Sequence, residues 1–120
     1  MQNTTGFRSF VASFAGVKGQ RVKLNSSGGV DLADATNGTG IGTLENDCAA
    51  GEVVTVNLFA ARTYEATVTG AVAFGALLYP AANGLLSPTS TASNTASFRA
   101  LEAATAAGDL IEVMPILPGQ

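Results

Sequence analysis

Short runs in which apolar and polar residues alternate at every second position recur along this 120-residue chain. Between them stand glycines and Asn-Gly pairs, among them Gly16, Gly19, Gly28-Gly29, Asn37-Gly38, Gly51, Gly75, Asn83-Gly84 and Gly108. A period of two is the side-chain spacing of a pleated strand, and turn residues this close together predict many short antiparallel strands. Arg21-Val22-Lys23-Leu24 alternates, predicting Val22 and Leu24 on a buried face and both cations on a solvated one. Val30 and Leu32 flank Asp31 in the same way. The run 53–59 is nearly continuous, with Val54, Val56 and Leu58 on one side, and predicts a central strand. A Thr-rich run at 63–69 predicts another. Leu77-Leu78-Tyr79 and Leu85-Leu86 flank Asn83-Gly84 and predict a hairpin, because Asn-Gly accepts the positive φ of a tight turn. The expected fold is all-β, a compact sandwich or barrel-like domain of short antiparallel strands.

An internal repeat sharpens this picture. Leu44–Val56 aligns without gaps on Leu101–Val113, with 6 of 13 positions identical, at an offset of 57 residues. Upstream, at an offset of 56, Gly19 falls on Gly75, Val22 on Leu78, Gly28 on Gly84 and Val30 on Leu86. A β domain over 16–120 built from two duplicated halves, 19–58 and 75–115, is the reading this supports. It bears on 97–107, where Ser97 as a cap, an Ala-rich run and Gly108 as a stop would make a helix. The equivalent first-half segment holds Asn46-Asp47, a poor helix interior, so the repeat favours a turn over the helix.

The N-terminal segment 1–15 reads as an extended arm. Phe7, Phe10 and Phe14 are half of the chain's 6 phenylalanines and follow a polar start. In a strand, Phe10, Ala12 and Phe14 share one face and Phe7 and Val11 the other. Two readings stand side by side: a first core strand, or an arm that seats aromatic anchors on a neighbour by strand addition. Phe7, Phe10, Val11 and Phe14 are the candidate interface residues. The charge-free Ser/Thr stretch 87–97 is too polar to bury and too long for a tight turn.

Composition narrows the function. Charged residues make up only 12% of the chain, which leaves a weakly polar surface and favours self-association. The net charge is −3 and the 6 basic residues are scattered singly, which argues against nucleic acid. The longest apolar stretch, 71–82, is interrupted by Gly75 and Pro80 and too short to span a bilayer. With no basic, apolar leader at the start, a soluble protein made in a cytoplasm is expected. Cys48 stands alone, so no intrachain disulfide can form.

There is no histidine, which removes the commonest general base and metal ligand. Glu45, Asp47 and Glu52 could form a carboxylate pair for glycoside hydrolysis, but the chain has no Trp to stack a sugar, and solvated turn residues are the better reading. Thr39-Gly40-Ile41-Gly42 lacks the Gly-Lys-Ser/Thr ending of a phosphate loop and reads as a flexible loop. Asp31, Asp34 and Asn37 are spaced loosely like a calcium loop, yet Gly42 stands where its bidentate Glu belongs. The expectation is a protein that is not an enzyme, with no catalytic residues, cofactor or metal.

The order of these motifs resembles a known family. Ala15-Gly16 and Gly19 ahead of Val22-Lys23-Leu24, then Gly40-Ile41-Gly42, then Ala49-Ala50-Gly51-Glu52-Val53-Val54-Thr55-Val56 make up the first half of the pattern. Gly75-Ala76-Leu77-Leu78-Tyr79, Asn83-Gly84 and Ala107-Gly108-Asp109-Leu110-Ile111-Glu112-Val113 complete it. Together, over about residues 10–114, they resemble the head decoration (capsid cement) proteins of tailed bacteriophages; the first nine residues and the Ser/Thr stretch fall outside it. The resemblance implies a small β-rich protein without an active site. It would bind the outside of an expanded icosahedral shell, usually as a homotrimer, after assembly in the host cytoplasm. Its partner would be the major capsid protein, whose neighbouring subunits it would brace against internal DNA pressure. A tail or fibre component of the virion is the alternative, and a carbohydrate-binding protein a more remote one.

Overall fold

The computed structural model describes residues 6–35, 40–59, 63–90 and 95–116. Among them are ten strands: β1 Phe7–Val11, β2 Arg21–Leu24, β3 Val30–Leu32, β4 Gly40–Leu44, β5 Val53–Leu58, β6 Tyr64–Thr67, β7 Leu77–Pro80, β8 Leu86–Ser87, β9 Phe98–Ala100 and β10 Leu110–Pro115. The protein is all-β, and the only helical element described is one 3-10 turn at Ala82–Gly84. The segment 97–107 is a strand followed by a turn, because β9 pairs with β10 and β7 and leaves its Ala-rich stretch no room to coil.

Two five-stranded antiparallel sheets have the order β1-β5-β4-β2-β3 and β6-β10-β9-β7-β8. Adding five to each strand number converts the first order into the second. Each sheet curls until its edge strands meet at a single parallel bridge, Ala12 with Val30 and Val68 with Leu86, 56 residues apart. The hydrogen bonds repeat with the sheets. Gly16 and Cys48 exchange two N–H···O bonds at 2.9 Å, and so do Val72 and Ala104. Gly19 N–H donates to Leu44 O and Gly75 N–H to Ala100 O, both at 2.9 Å. The chain is a duplicated fold.

The offset changes once. It is 56 as far as Cys48 and Ala104, and 57 from Ala49 and Ala106, whose carbonyls accept from Glu52 and Asp109. Thr105 is therefore the extra residue of the second half. The gapless alignment of Leu44–Val56 on Leu101–Val113 is in register over its C-terminal part and one residue out over 44–48, where Leu44 is equivalent to Ala100. Matching Leu-Glu pairs at 44–45 and 101–102 mask the insertion.

Each half has its own core. Phe10, Ala12, Val22, Val30, Leu44, Val54 and Val56 fill the first, with Phe14, Ile41, Cys48 and Leu58 packed at its margin. Tyr64, Val68, Leu78, Leu86, Phe98, Ile111 and Val113 dominate the second. Val22/Leu78, Val30/Leu86, Val54/Ile111 and Val56/Val113 are equivalent pairs, and all are buried. Phe59 ties the halves together: it follows β5 but packs edge-on against Tyr64 and tilted against Phe98, both at 5.2 Å between ring centroids. The Tyr64 hydroxyl donates to Leu58 O at 2.8 Å, so this buried phenol is satisfied.

Two expectations are corrected. Gly40–Leu44 is not a flexible loop but an inner strand between β5 and β2. Gly42 makes this possible, since a Cβ there would lie 2.3 Å from Asn57 O on the neighbouring strand. A two-faced polar/apolar pattern was absent because glycine, rather than a side chain, fills the tight place. The β2 alternation is also inverted at its ends: Leu24 is exposed, while Arg21 is 2% exposed. The second half covers Arg21, a contact that a period-two reading of one strand does not contain.

Candidate functional site

The four candidate interface residues lie on β1 and just after it, and β1 is paired along its whole length with β5 of the same chain. From Phe7 onwards the expected arm is thus an edge strand of this chain's own sheet. Its alternation divides the candidates. Phe10 is buried and Phe14 packs against the first core. Arg8 lies over the Phe10 ring, its guanidinium carbon 4.8 Å from the centroid, in a cation–π contact. Phe7 and Val11 are on the outer face, where Val11 (52% exposed) stands directly across from Val53 (64% exposed). Residues 1–5 lie outside the described residues.

The seam between the halves is polar and closely fitted. Arg21 is its centre. Its guanidinium Nη2 donates to Ala81 O at 2.9 Å, to Asp34 O at 3.0 Å and to Leu85 O at 3.1 Å. Burial pulls its pKa down to about 10, a cost that the nearby Asp34 carboxylate partly offsets. Gly84 N–H donates to Ala33 O at 2.6 Å, and a Cβ on Gly84 would lie 2.4 Å from Arg21 O. Asn83 and Gly84 both have positive φ (59° and 72°), so this turn needs that Asn-Gly pair for its shape and the glycine for its fit. At the other end Thr67 N–H donates to Gly19 O at 3.1 Å and Thr67 Oγ1 to Lys18 O at 2.9 Å. Lys18 Nζ and Glu65 pair at 2.9 Å, and this partner raises the lysine's pKa.

The carboxylates weighed as a hydrolytic pair are engaged in separate turns. Asp47 accepts from Lys18 N–H at 2.8 Å, and Glu52 accepts from Ala49 N–H at 2.7 Å. In the second half Asp109 does the work of Glu52, accepting from Thr105 and Ala106 N–H, and these bonds hold its carboxyl below the usual range. Asp31 is lowered likewise by the Ser13 hydroxyl and the Asn25 amide. A solvent-facing hollow near the seam is rimmed by Glu45, Glu65, Glu102 and Glu112. Two of these have assigned work, Glu65 on Lys18 and Glu102 accepting from Glu112 N–H at 2.6 Å. Among the described residues no group of three His, Cys, Asp or Glu is placed to hold a metal ion. Nor is any helix among them long and apolar enough to cross a membrane. Cys48 is half-buried, with Sγ 3.7 Å from Phe14 O.

Sequence reasoning missed Arg21, Gly42 and three exposed apolar residues, Leu24, Phe74 and Leu77. The last three had one available signal: the offset of 56, which would have set Leu24 beside Pro80, Phe74 beside Lys18 and Leu77 beside Arg21.

What these features define is a duplicated, ten-stranded β module with a fitted internal seam and apolar residues left on its outer faces. No protein-family model matches the chain, and no curated protein sequence does. Among solved structures it is similar to the head fiber gp8.5 N base of bacteriophage phi29, with a TM-score of 0.72, 17% identity and 92% of each chain covered. At that identity the likeness is one of fold.

Proposed function

We propose that the protein is a structural component of a bacteriophage virion, docked on the exterior of the head, where it works by binding and not by catalysis. The observation that carries this reading is the shared architecture with the head fiber base of phi29 along 92% of both chains. The order of turn glycines and apolar strands, read independently from the sequence, points to proteins of the phage head surface as well. In the form we favour, the chain is a homotrimeric decoration protein. It bridges neighbouring subunits of the major capsid protein, with Phe7 and Val11 on the outer face of β1 among its contacts to the shell or to a sister subunit. Modest contacts by each subunit would be multiplied over many copies.

The fold likeness supports a second reading equally, the base of a fibre attached to the head. Copy number separates the two. Purified chain added to expanded, undecorated shells should saturate at a fixed, lattice-wide ratio to the major capsid protein and raise the shells' resistance to heat. Saturation at a few fixed points per particle, with projections in the electron microscope, would select the fibre base. No binding to shells of any kind would sink both.

A further inference from the structure

We infer that the protein joins to further copies of itself head to tail, through a contact that repeats between chains the seam its two halves make within one chain. This deepens the trimeric reading above by naming the surfaces that meet. The seam has two sides. The first half presents a head, the segment 17–21, in which Lys18 and Gly19 carbonyls receive Thr67 and a Cβ on Gly19 would lie 2.3 Å from Leu110 Cδ1. The second half presents a tail, made of β6, Leu110 and the turn 81–85. Because the fold is duplicated, every chain carries one more head, on its second half, and one more tail, on its first.

Among the described residues neither is covered by the rest of the chain. At the spare head Phe74 stands in the place of Lys18, Gly75 of Gly19 and Leu77 of Arg21. At the spare tail Val11 stands in the place of Thr67, Leu24 of Pro80 and Val53 of Leu110. Phe74 is 73% exposed, and Val53, Leu24 and Val11 are all more than half exposed. The eight exposed large apolar residues of the described chain include all five of these side chains. The glycines behave the same way. Cβ atoms built on Gly19 and Gly84, inside the seam, collide at 2.3 and 2.4 Å, whereas at their equivalents Gly75 and Gly28 they meet nothing within 4 Å.

A groove extends the match. Arg21, Gly40 and Phe59 line one wall of a cleft whose other wall is Pro80, Phe98 and Pro115. Leu77, Ala96 and Ile116, at the equivalent positions, line an open groove of about 300 Å³. Leu24 of a second copy would enter it as Pro80 closes the first. Val11 N–H would then donate to Gly75 O, which accepts from Arg99 at 2.8 Å and keeps a second lone pair. The spare surfaces carry Phe74, Leu77 and Val11 where the internal seam uses Lys18, Arg21 and Thr67, and uncharged Ser9 in the place of Glu65, which suits surfaces that bury only on assembly. A head-to-tail contact either closes a ring or runs on as a filament; three chains closing into a ring of six halves is the outcome expected.

The test uses two surface variants. Wild-type protein should sediment at three times the mass of one chain. Phe74→Asp disables the spare head and Val53→Asp the spare tail; each should be monomeric at the same concentration with an unchanged circular dichroism spectrum and melting curve. Mixed together, the two variants should form a one-to-one dimer and nothing larger, because one intact head and one intact tail remain between them. Monomeric wild type, variants that keep the wild-type mass, or a mixture that assembles beyond the dimer would overturn the inference. Shell binding is read separately: trimers that ignore shells would refute the virion reading and leave this contact standing.

Discussion

Arg21 shows how much a single side chain can be asked to do at a seam. Its guanidinium donates to the Ala81 and Leu85 carbonyls of the second half's 81–85 turn, beside the Gln20 amide on Asn83 O, and it does so almost fully buried. Truncating it removes the charged donor of three part-buried carbonyls, Asp34, Ala81 and Leu85, and hydrogen bonds to a charged group contribute about 1.5–3 kcal/mol each. Arg21→Ala should therefore destabilise the fold by roughly 3 kcal/mol in urea titrations, and Arg21→Lys, with one compact donor group, should restore only part of that. Asp109 makes a contrasting case at the surface. Its folded pKa is depressed from 3.8 by amide donors, so its contribution is present above that value and lost as pH falls through the lower, folded one. Asp109→Asn should lower the urea midpoint at pH 7, by a difference that shrinks as the pH falls below 3.8. The turn acid was legible in the Ala-Ala-Gly-acid motif of both halves. Arg21 was not, because its partners lie about 60 residues away along the chain.

At the scale of elements, strands with clean alternation declared themselves and glycine strands did not. β5 is the inner strand its Val54-Val56 pattern predicts, flanked by β1 and β4. β4, with Gly40 and Gly42, carried no such signature and pairs anyway, held by its neighbours. Two glycines measure the difference between packing and backbone freedom. Gly42→Ala drives a Cβ to 2.3 Å from Asn57 O and 2.8 Å from Val56, so β4 must shift, at a cost of roughly 2–3 kcal/mol. Gly51→Ala meets nothing within 4 Å but must hold φ at 88°, at about 1–2 kcal/mol. Chemical denaturation of both variants checks the ranking. For β1, period two assigned Phe10 and Phe14 to one face and Phe7 and Val11 to the other, as observed. It did not say that β5 would pair with the segment.

The whole molecule has two cores but is built to unfold as one. Phe59 belongs to the first half by sequence and to the second core by contact, and the guanidinium of Arg21 binds across the seam in the opposite sense. A single urea transition is expected by both fluorescence of the tyrosines and far-UV circular dichroism. Phe59→Ala should shift that one midpoint by about 2 kcal/mol without splitting it; two separated transitions would show independent halves. The duplication itself was visible in the sequence because turn glycines need positive φ and survive when side chains diverge: Gly19/Gly75, Gly28/Gly84 and Gly51/Gly108 all keep it. The joint between the halves was invisible, since Arg21, Thr67 and the close backbone contacts at Gly19 and Gly84 all find their partners in the other half. That construction has a consequence for any assembly that reuses it. A joint with Gly84 lying directly against Arg21 O has no side chain to act as a shim, so its angle is set once and holds. In a closed ring every joint adds its error to the next, as tolerances add in a mason's arch, and a few degrees at each stone open a gap at the keystone. Gly19 and Gly84 are where that tolerance is kept.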